Sequence, residues 1–163
     1  MWIRSRAWLR STRPQPTSTK CSPRLRWSGL KIFVDSNIPM YVAGADHPHK
    51  ASARRFLDQV RSGKPEACTS TEVLQEILHR YSSLGRRDLA RDVYNLFAAI
   101  CPVVLDVTLA DTDLARDLLC AHKGISSRDA IHAAVMLNHR IPEIATFDAG
   151  FDGIEGIRRV PLT

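Results

Sequence analysis

The sequence predicts an α/β fold, a three-layer sandwich around a mostly parallel central sheet. Three observations lead there. From residue 30 onward, short β-rich runs alternate with longer helical ones, with one or two helices between successive runs. No internal repeat occurs, and no linker interrupts residues 30–163, so these residues form one domain. Two of the apolar runs close on a carboxylate, Asp35 and Asp148, at strand ends where open parallel sheets place their functional crevice.

The elements follow in order. Residues 30–34 are a short apolar run ending in Asp35-Ser36-Asn37, a turn and helix-cap signal. Residues 48–61 carry Ala51, Phe56, Leu57 and Val60 at helical spacing and stop at Ser62-Gly63. Ala67-Cys68-Thr69 reads as a short strand. Ser70 or Thr71 then caps a helix through Val73, Leu74, Ile77, Leu78 and Tyr81, ended by Leu84-Gly85. Residues 86–100 form an amphipathic helix on Leu89, Val93, Leu96 and Phe97, and Pro102 precedes a strand at 103–107. A helix over about 110–121 ends at Lys123-Gly124, and Ser126-Ser127 cap another over 128–138. Strands at 144–147 and, at the edge, 157–161 complete the sheet.

Charge misleads until it is located. The chain has 163 residues, a net charge of +6 and a pI near 9.5. Residues 1–29 hold seven basic side chains (Arg4, Arg6, Arg10, Arg13, Lys20, Arg24, Arg26) and no acid. That leaves sixteen basic and seventeen acidic residues in 30–163, so the domain is near neutral and its pI gives no argument for a nucleic-acid-binding face. Three readings of the tail compete: a nucleic-acid-contacting arm, an organelle transit peptide, and a disordered extension from a start codon set too far upstream. The last is favoured, because no apolar helical period is visible. No stretch is apolar enough for a signal peptide core or a membrane span, which sets the expectation of a soluble, cytoplasmic protein.

Cys21, Cys68, Cys101 and Cys120 form no C-x-x-C pair, and three in the domain is an odd number for a disulfide framework. Cys68 and Cys101 lie in apolar runs and read as small buried hydrophobes in a reducing compartment.

Four acids stand where a chain of this size should not spend a charge. Asp35 and Asp148 close apolar runs, Glu76 flanks the apolar arc of its helix, and Asp129 opens a helix that is otherwise apolar except for His132. Carboxylates at a core edge are costly unless paired or bound to a cation, and no matching set of Lys or Arg is present. The four therefore suggest a divalent metal. Mg²⁺ or Mn²⁺ takes hard oxygen ligands and is held by one or two carboxylates plus substrate phosphate. Ser36 and Asn37 can present a hydroxyl and an amide to a phosphate or a metal-bound water. Each acid also has an ordinary reading: Asp35 as a helix cap, Glu76 as a solvated flank, Asp129 as a dipole partner, Asp148 as a turn starter before Gly150.

Other residues are weaker candidates. His132 lies three residues after Asp129, a spacing that can pair two ligands, but a packing or hydrogen-bonding histidine is favoured. His47 and His49, either side of Pro48, read as solvent-facing. Asp111, Asp113 and Asp117 sit near a helix start and read as structural. Asp152 is a reserve for Asp148. No G-x-x-x-x-G-K-[ST], G-x-G-x-x-G or G-x-S-x-G motif occurs, which removes the usual support for triphosphate, dinucleotide and serine-hydrolase chemistry.

Taken as an ordered set, Phe33-Val34-Asp35-Ser36-Asn37-Ile38, then Thr69-Ser70-Thr71 with Glu76, then Ser127-Arg128-Asp129-Ala130-Ile131-His132-Ala133-Ala134, then Thr146-Phe147-Asp148-x-x-Phe151, resembles the PIN-domain family. More narrowly it is similar to the toxin half of VapBC toxin–antitoxin pairs. The resemblance covers 30–163, and the separations of 41, 53 and 19 residues between the acids agree with it. It implies an Mg²⁺- or Mn²⁺-dependent ribonuclease acting on RNA, a cognate antitoxin partner and a homodimer. It also implies Asp35 and Asp129 as the most direct metal ligands, with Glu76 and Asp148 completing the pocket. Two alternatives remain at this level. One is a degenerate PIN module that binds RNA or protein without cutting. The other is a phosphatase with a nucleophilic Asp35, for which Asn37 stands where a second aspartate is needed.

Overall fold

The computed structural model describes residues 31–163. The basic extension at 1–29 lies outside the described residues. Twelve elements follow in chain order. They are β1 (Ile32–Val34), α1 (Asn37–Ala43), α2 (Lys50–Arg61), β2 (Ala67–Ser70), α3 (Thr71–Ser83), α4 (Arg87–Ile100) and β3 (Val103–Leu105), then α5 (Leu109–Ala121), α6 (Ser127–Asn138), β4 (Glu143–Ala145), a 3-10 turn (Ala149–Phe151) and β5 (Arg158–Arg159).

The five strands lie in the order β3-β2-β1-β4-β5, and every pairing is parallel. The chain steps outward from β1 to β2 and β3, then returns across the sheet to pair β4 with the other side of β1. The strand order therefore reverses between β1 and β4, and open α/β sheets bind ligands in the crevice at such a point. Register places Phe33 beside Cys68 on one side and Ile144 on the other.

Local chemistry explains the helices. Ser70 caps α3 by accepting from the Val73 N–H, and Ser126 caps α6 by accepting from the Asp129 N–H. At α5, Thr108 and Asp111 form a reciprocal capping box. Pro39 falls in the first turn of α1, where its missing N–H costs nothing. The expected stops at Gly63 and Gly85 are made by glycines at φ 92° and 68°, a left-handed region that a side chain would strain. The helices pack in pairs, α1 on α2, α3 on α4 and α5 on α6.

Fully buried Phe33, Ile38, Leu57, Ile77, Phe97, Ile144 and Phe151 make the centre of one continuous core. Each such side chain contributes roughly 1.5–3 kcal/mol on leaving water. Cys68 and Cys101 are buried free thiols, as expected, and burial raises the Cys68 pKa to about 12.

The elements differ from expectation mainly at the strand ends. β4 stops at Ala145, since Thr146 turns its hydroxyl into a hydrogen-bond network instead of the ladder. β3 ends at Leu105 and β5 shrinks to two residues. Helix α2 begins at Lys50 because His47–His49 form a turn in which the His49 N–H donates to the His47 ring. Among the described residues no helix is long and apolar enough to cross a membrane.

Candidate active site

Asp35 follows directly on β1, so its side chain leaves the sheet at the carboxyl edge beside β4. It is 4% exposed, a depth at which a carboxylate must be compensated. Three donors hold it. The Ser36 N–H donates to Oδ1 at 2.5 Å, while the Asn37 amide and the Thr146 hydroxyl both donate to Oδ2 at 2.6 Å. Asn37 donates its second amide hydrogen to the Thr146 hydroxyl oxygen at 2.7 Å, and that oxygen also accepts the Asp148 N–H at 3.0 Å. The ends of β1 and β4 are thus laced around one carboxylate.

Helices α3 and α6 bring the rest. Glu76, one turn into α3, is buried against α6 rather than solvated at the flank of its arc. His132 on α6 is fully buried, with Nε2 3.5 Å from Glu76 Oε2 and 4.0 Å from Asp35 Oδ1. The liganding atoms of Asp35, Glu76 and His132 all lie within 4.8 Å of one another. Neither ring nitrogen of His132 makes a hydrogen bond, so the contact with Glu76 is one of charge without hydrogen-bond alignment. Arg128 Nε approaches the other Glu76 oxygen at 3.4 Å. Asp129 sits half-exposed in the first turn of α6, where Ser126 Oγ both accepts its N–H at 3.1 Å and donates to its Oδ2 at 2.6 Å. Its charge reaches both Asp35 and His132.

Burial is the main influence on Asp35 and raises its carboxyl pKa. His132 and Thr146 oppose the rise without overcoming it, while Glu76 and Asp129 add to it. Burial alone would push the His132 imidazole down. Its contact with Glu76 and the charges of Asp35, Glu76 and Asp129 outweigh that and hold it above its ordinary value. Glu76 is also pushed up by burial, but His132, Ser36 and Arg128 prevail and hold it low. Glu76 and His132 thus favour each other's charged form, while burial favours the protonated form of Asp35.

Of the four acids expected to converge, Asp35 and Glu76 lie together with His132, and Asp129 stands in the first turn of α6, where its charge acts on Asp35. Asp148 stands at the rim, exposed, with its Oδ1 accepting the Gly150 N–H at 2.8 Å. Only its backbone N–H joins the network around Asp35. Asp152 is exposed and spent on Arg159 at 2.6 Å. The Asn37 amide is committed to Asp35 and Thr146, so Asn37 positions the carboxylate rather than facing a phosphate with that group. Asp111 is structural, as expected, joining α5 to Asn138 of α6.

Two members of the site are stronger than their sequence signals. From sequence, Thr146 reads only as a strand residue and as part of the motif around Asp148. His132 packs on Phe33, as a core histidine would, yet also lies between two carboxylates. The buried carboxylate oxygens of Asp35 and Glu76, with an imidazole beside them that makes no hydrogen bond, fit a divalent cation, since carboxylates suit Mg²⁺ and Mn²⁺ and imidazole suits transition ions.

A parallel sheet with carboxylates gathered at its reversal point defines a class of acidic, cation-holding α/β domains. The PIN domain model matches residues 32–157, and the chain belongs to the PIN-domain family. Within that family it groups with the VapC ribonucleases. It is 44% identical over 129 residues to Ribonuclease VapC13 of Mycobacterium tuberculosis, covering 79% of this chain and 98% of that one. Among solved structures it resembles the Mycobacterium tuberculosis toxin VapC20, described as cleaving the sarcin-ricin loop. That match has a TM-score of 0.62 and 24% identity, over 72% of this chain and 90% of that one. It also resembles a chain of a toxin-antitoxin complex from Klebsiella pneumoniae, with a TM-score of 0.58 and 18% identity, over 78% and 96%. The last two likenesses are of fold.

Proposed function

We propose that this protein is a divalent-metal-dependent endoribonuclease, the toxin half of a toxin–antitoxin pair, hydrolysing RNA phosphodiester bonds. One observation carries the proposal: Asp35, Glu76 and the His132 ring converge, buried, at the sheet's reversal point. The kinship with VapC ribonucleases supports RNA as substrate, and the toxin-antitoxin complex among similar folds supports an antitoxin partner. A homodimer is part of the same reading.

Asp35 and Asp129 are the proposed direct ligands of Mg²⁺ or Mn²⁺, with Glu76 and Asp148 completing the acidic pocket. A divalent cation held by these carboxylates would supply Lewis-acid polarisation of a phosphoryl oxygen and activation of a water for in-line attack. The chain's own residues prepare for it. Ser36, Asn37 and Thr146 fix the Asp35 carboxylate in one orientation, so little is lost in ordering it at the moment of reaction. Ser126 does the same for Asp129. His132 and Arg128 offset the negative charge of Glu76, which lets the carboxylates stay together before a cation arrives.

Incubating the purified chain with structured RNA in Mn²⁺, Mg²⁺ or a chelator tests this. Metal-dependent fragments are expected, and intact RNA in every arm with retained binding would overturn it. That second outcome describes a binding-only PIN module, which the turn-bound Asp148 favours because it leaves one acid fewer facing the pocket. The phosphatase reading loses further support, since the residue two positions after Asp35 is an amide donating to it.

A further inference from the structure

Four rings gather just outside the acidic pocket: Tyr41 of α1, His47 and His49 of the following turn, and Phe147 after β4. His49 stacks on Phe147 with centroids 4.0 Å apart and planes 12° from parallel. Tyr41 stacks on His47 at 4.4 Å and 25°. The two stacks meet nearly at right angles, Tyr41 to Phe147 at 5.4 Å and 88°. His47 is exposed, and Tyr41, His49 and Phe147 are half-buried, with Tyr41 and Phe147 packed against the edge of the core. Stacked rings that stay partly in water beside a pocket can receive a further flat, apolar-faced group.

The cluster is tied to the pocket by covalent and hydrogen-bonded neighbours. Phe147 follows Thr146, which holds Asp35, and its own N–H donates to Asn37 Oδ1 at 3.5 Å. Tyr41 lies one turn after Asn37 on α1, so both project from the same face. An adjoining cavity of about 540 Å³ is lined by Asn37, Tyr41 and His47 together with Arg80 and Arg86. That volume is in the range of about 300–1,000 Å³ that holds small-molecule-sized groups. Rings, guanidinium groups and an acidic pocket side by side match the three parts of an RNA strand: a base, its flanking phosphates, and the phosphate to be cut.

We infer that Tyr41, His47, His49 and Phe147 form a platform on which an unpaired base stacks beside the scissile phosphate, with Arg80 and Arg86 contacting the backbone next to it. This rests on RNA being the substrate. A base inside a duplex has no free face to offer, so the platform takes a base from an unpaired stretch. Stacking is sequence-tolerant, so the platform selects an extruded base rather than a particular one.

The test uses the full chain and a 12-nucleotide single-stranded RNA carrying one 2-aminopurine, moved through each position in turn. Ca²⁺ neutralises the carboxylates, and emission and anisotropy are read in the first seconds after mixing. A stacked 2-aminopurine is quenched, so quenching concentrated at one or two positions is expected. Tyr41→Ala and His49→Ala should each weaken binding roughly 5- to 100-fold. The log-log salt slope should stay unchanged for these, whereas Arg80→Ala should lower it. His49→Phe should keep both affinity and quenching, and His47→Ala, at an exposed position, guards against misfolding as the cause of loss.

A flat quenching profile overturns the inference, as does wild-type affinity and quenching in the ring-to-alanine variants. A lowered melting temperature with unchanged RNA binding does so too, since the rings would then only brace the turn. A parallel Mn²⁺ cleavage gel separates this from the nuclease reading. Ring-dependent quenching without fragments sinks the nuclease and keeps the platform; fragments without ring-dependent quenching do the reverse.

Discussion

Replacing Thr146 by valine changes the shape of the side chain little and removes three hydrogen bonds at once. The hydroxyl donates to Asp35 Oδ2 at 2.6 Å and accepts from the Asn37 amide at 2.7 Å and the Asp148 N–H at 3.0 Å. Thr146 is 2% exposed, so water cannot readily replace these contacts. The bond to Asp35, charged when ionised, is worth about 1.5–3 kcal/mol, and an orphaned donor adds about 1 kcal/mol or more. The extra buried methyl of valine returns about 0.8 kcal/mol. We predict a net loss of about 2–3 kcal/mol for Thr146→Val, a fall in melting temperature of roughly 6–12 °C for a domain of this size. Thr146→Ser keeps the hydroxyl and loses only a methyl, so it should cost less than about 1.5 kcal/mol. Urea unfolding in a chelator measures both variants without any contribution from a bound ion. If Thr146→Val unfolds within about 0.5 kcal/mol of wild type, or Thr146→Ser is the less stable of the two, Thr146 does not hold Asp35 as described.

Other outcomes follow from the same geometry. Asp35→Asn and Asp129→Asn should lower metal-dependent RNA cleavage by at least about a hundredfold while the circular dichroism spectrum is kept. Asp148→Asn should lower it less than about tenfold, because the residue is exposed and an asparagine oxygen can still accept from Gly150. Mn²⁺ at about a hundred times its Kd should stabilise the protein by about 2.7 kcal/mol in thermal melts. Asp35→Asn should remove that increment, and an undiminished Mn²⁺ effect would count against Asp35 as a ligand. Asp111→Asn should destabilise the domain at neutral pH, most visibly as fraying of α5. Burial pushes the Asp111 carboxyl up, but bonds from Thr108 and Asn138 and the nearby His139 prevail and hold it below its ordinary 3.8. Its contribution is therefore complete above about pH 4 and fades as pH falls through the lower folded value. The stability gap between wild type and Asp111→Asn should shrink on acidification below pH 4 and stay constant from pH 5 to 7.

Much of the molecule was legible from residue order. Helix periods, the caps at Ser70 and Ser126, and the stops at Gly63 and Gly85 depend on neighbours within about four positions, and they read directly. The carboxylates at apolar run ends were equally plain, because a charge at the edge of a core is conspicuous whatever surrounds it. Strand ends were harder to place: β4 gives up Thr146 to a network whose side-chain partners, Asp35 and Asn37, are more than a hundred positions away.

The sequence by itself determined the class of fold, the segments that become strands and helices, and Asp35, Glu76, Asp129 and Asp148 as acids at core edges that call for a partner. Tertiary structure decided which groups keep company. Only the pairing of β4 beside β1 sets Thr146 against Asp35, and only the seating of α6 on α3 puts His132 and Arg128 against Glu76. The same arrangement left Asp148 at the rim, holding its own turn. The reason is physical: propensity and patterning act between near neighbours, whereas the field at a buried carboxylate is made by whatever distant residues the strand order and helix packing bring within a few ångströms.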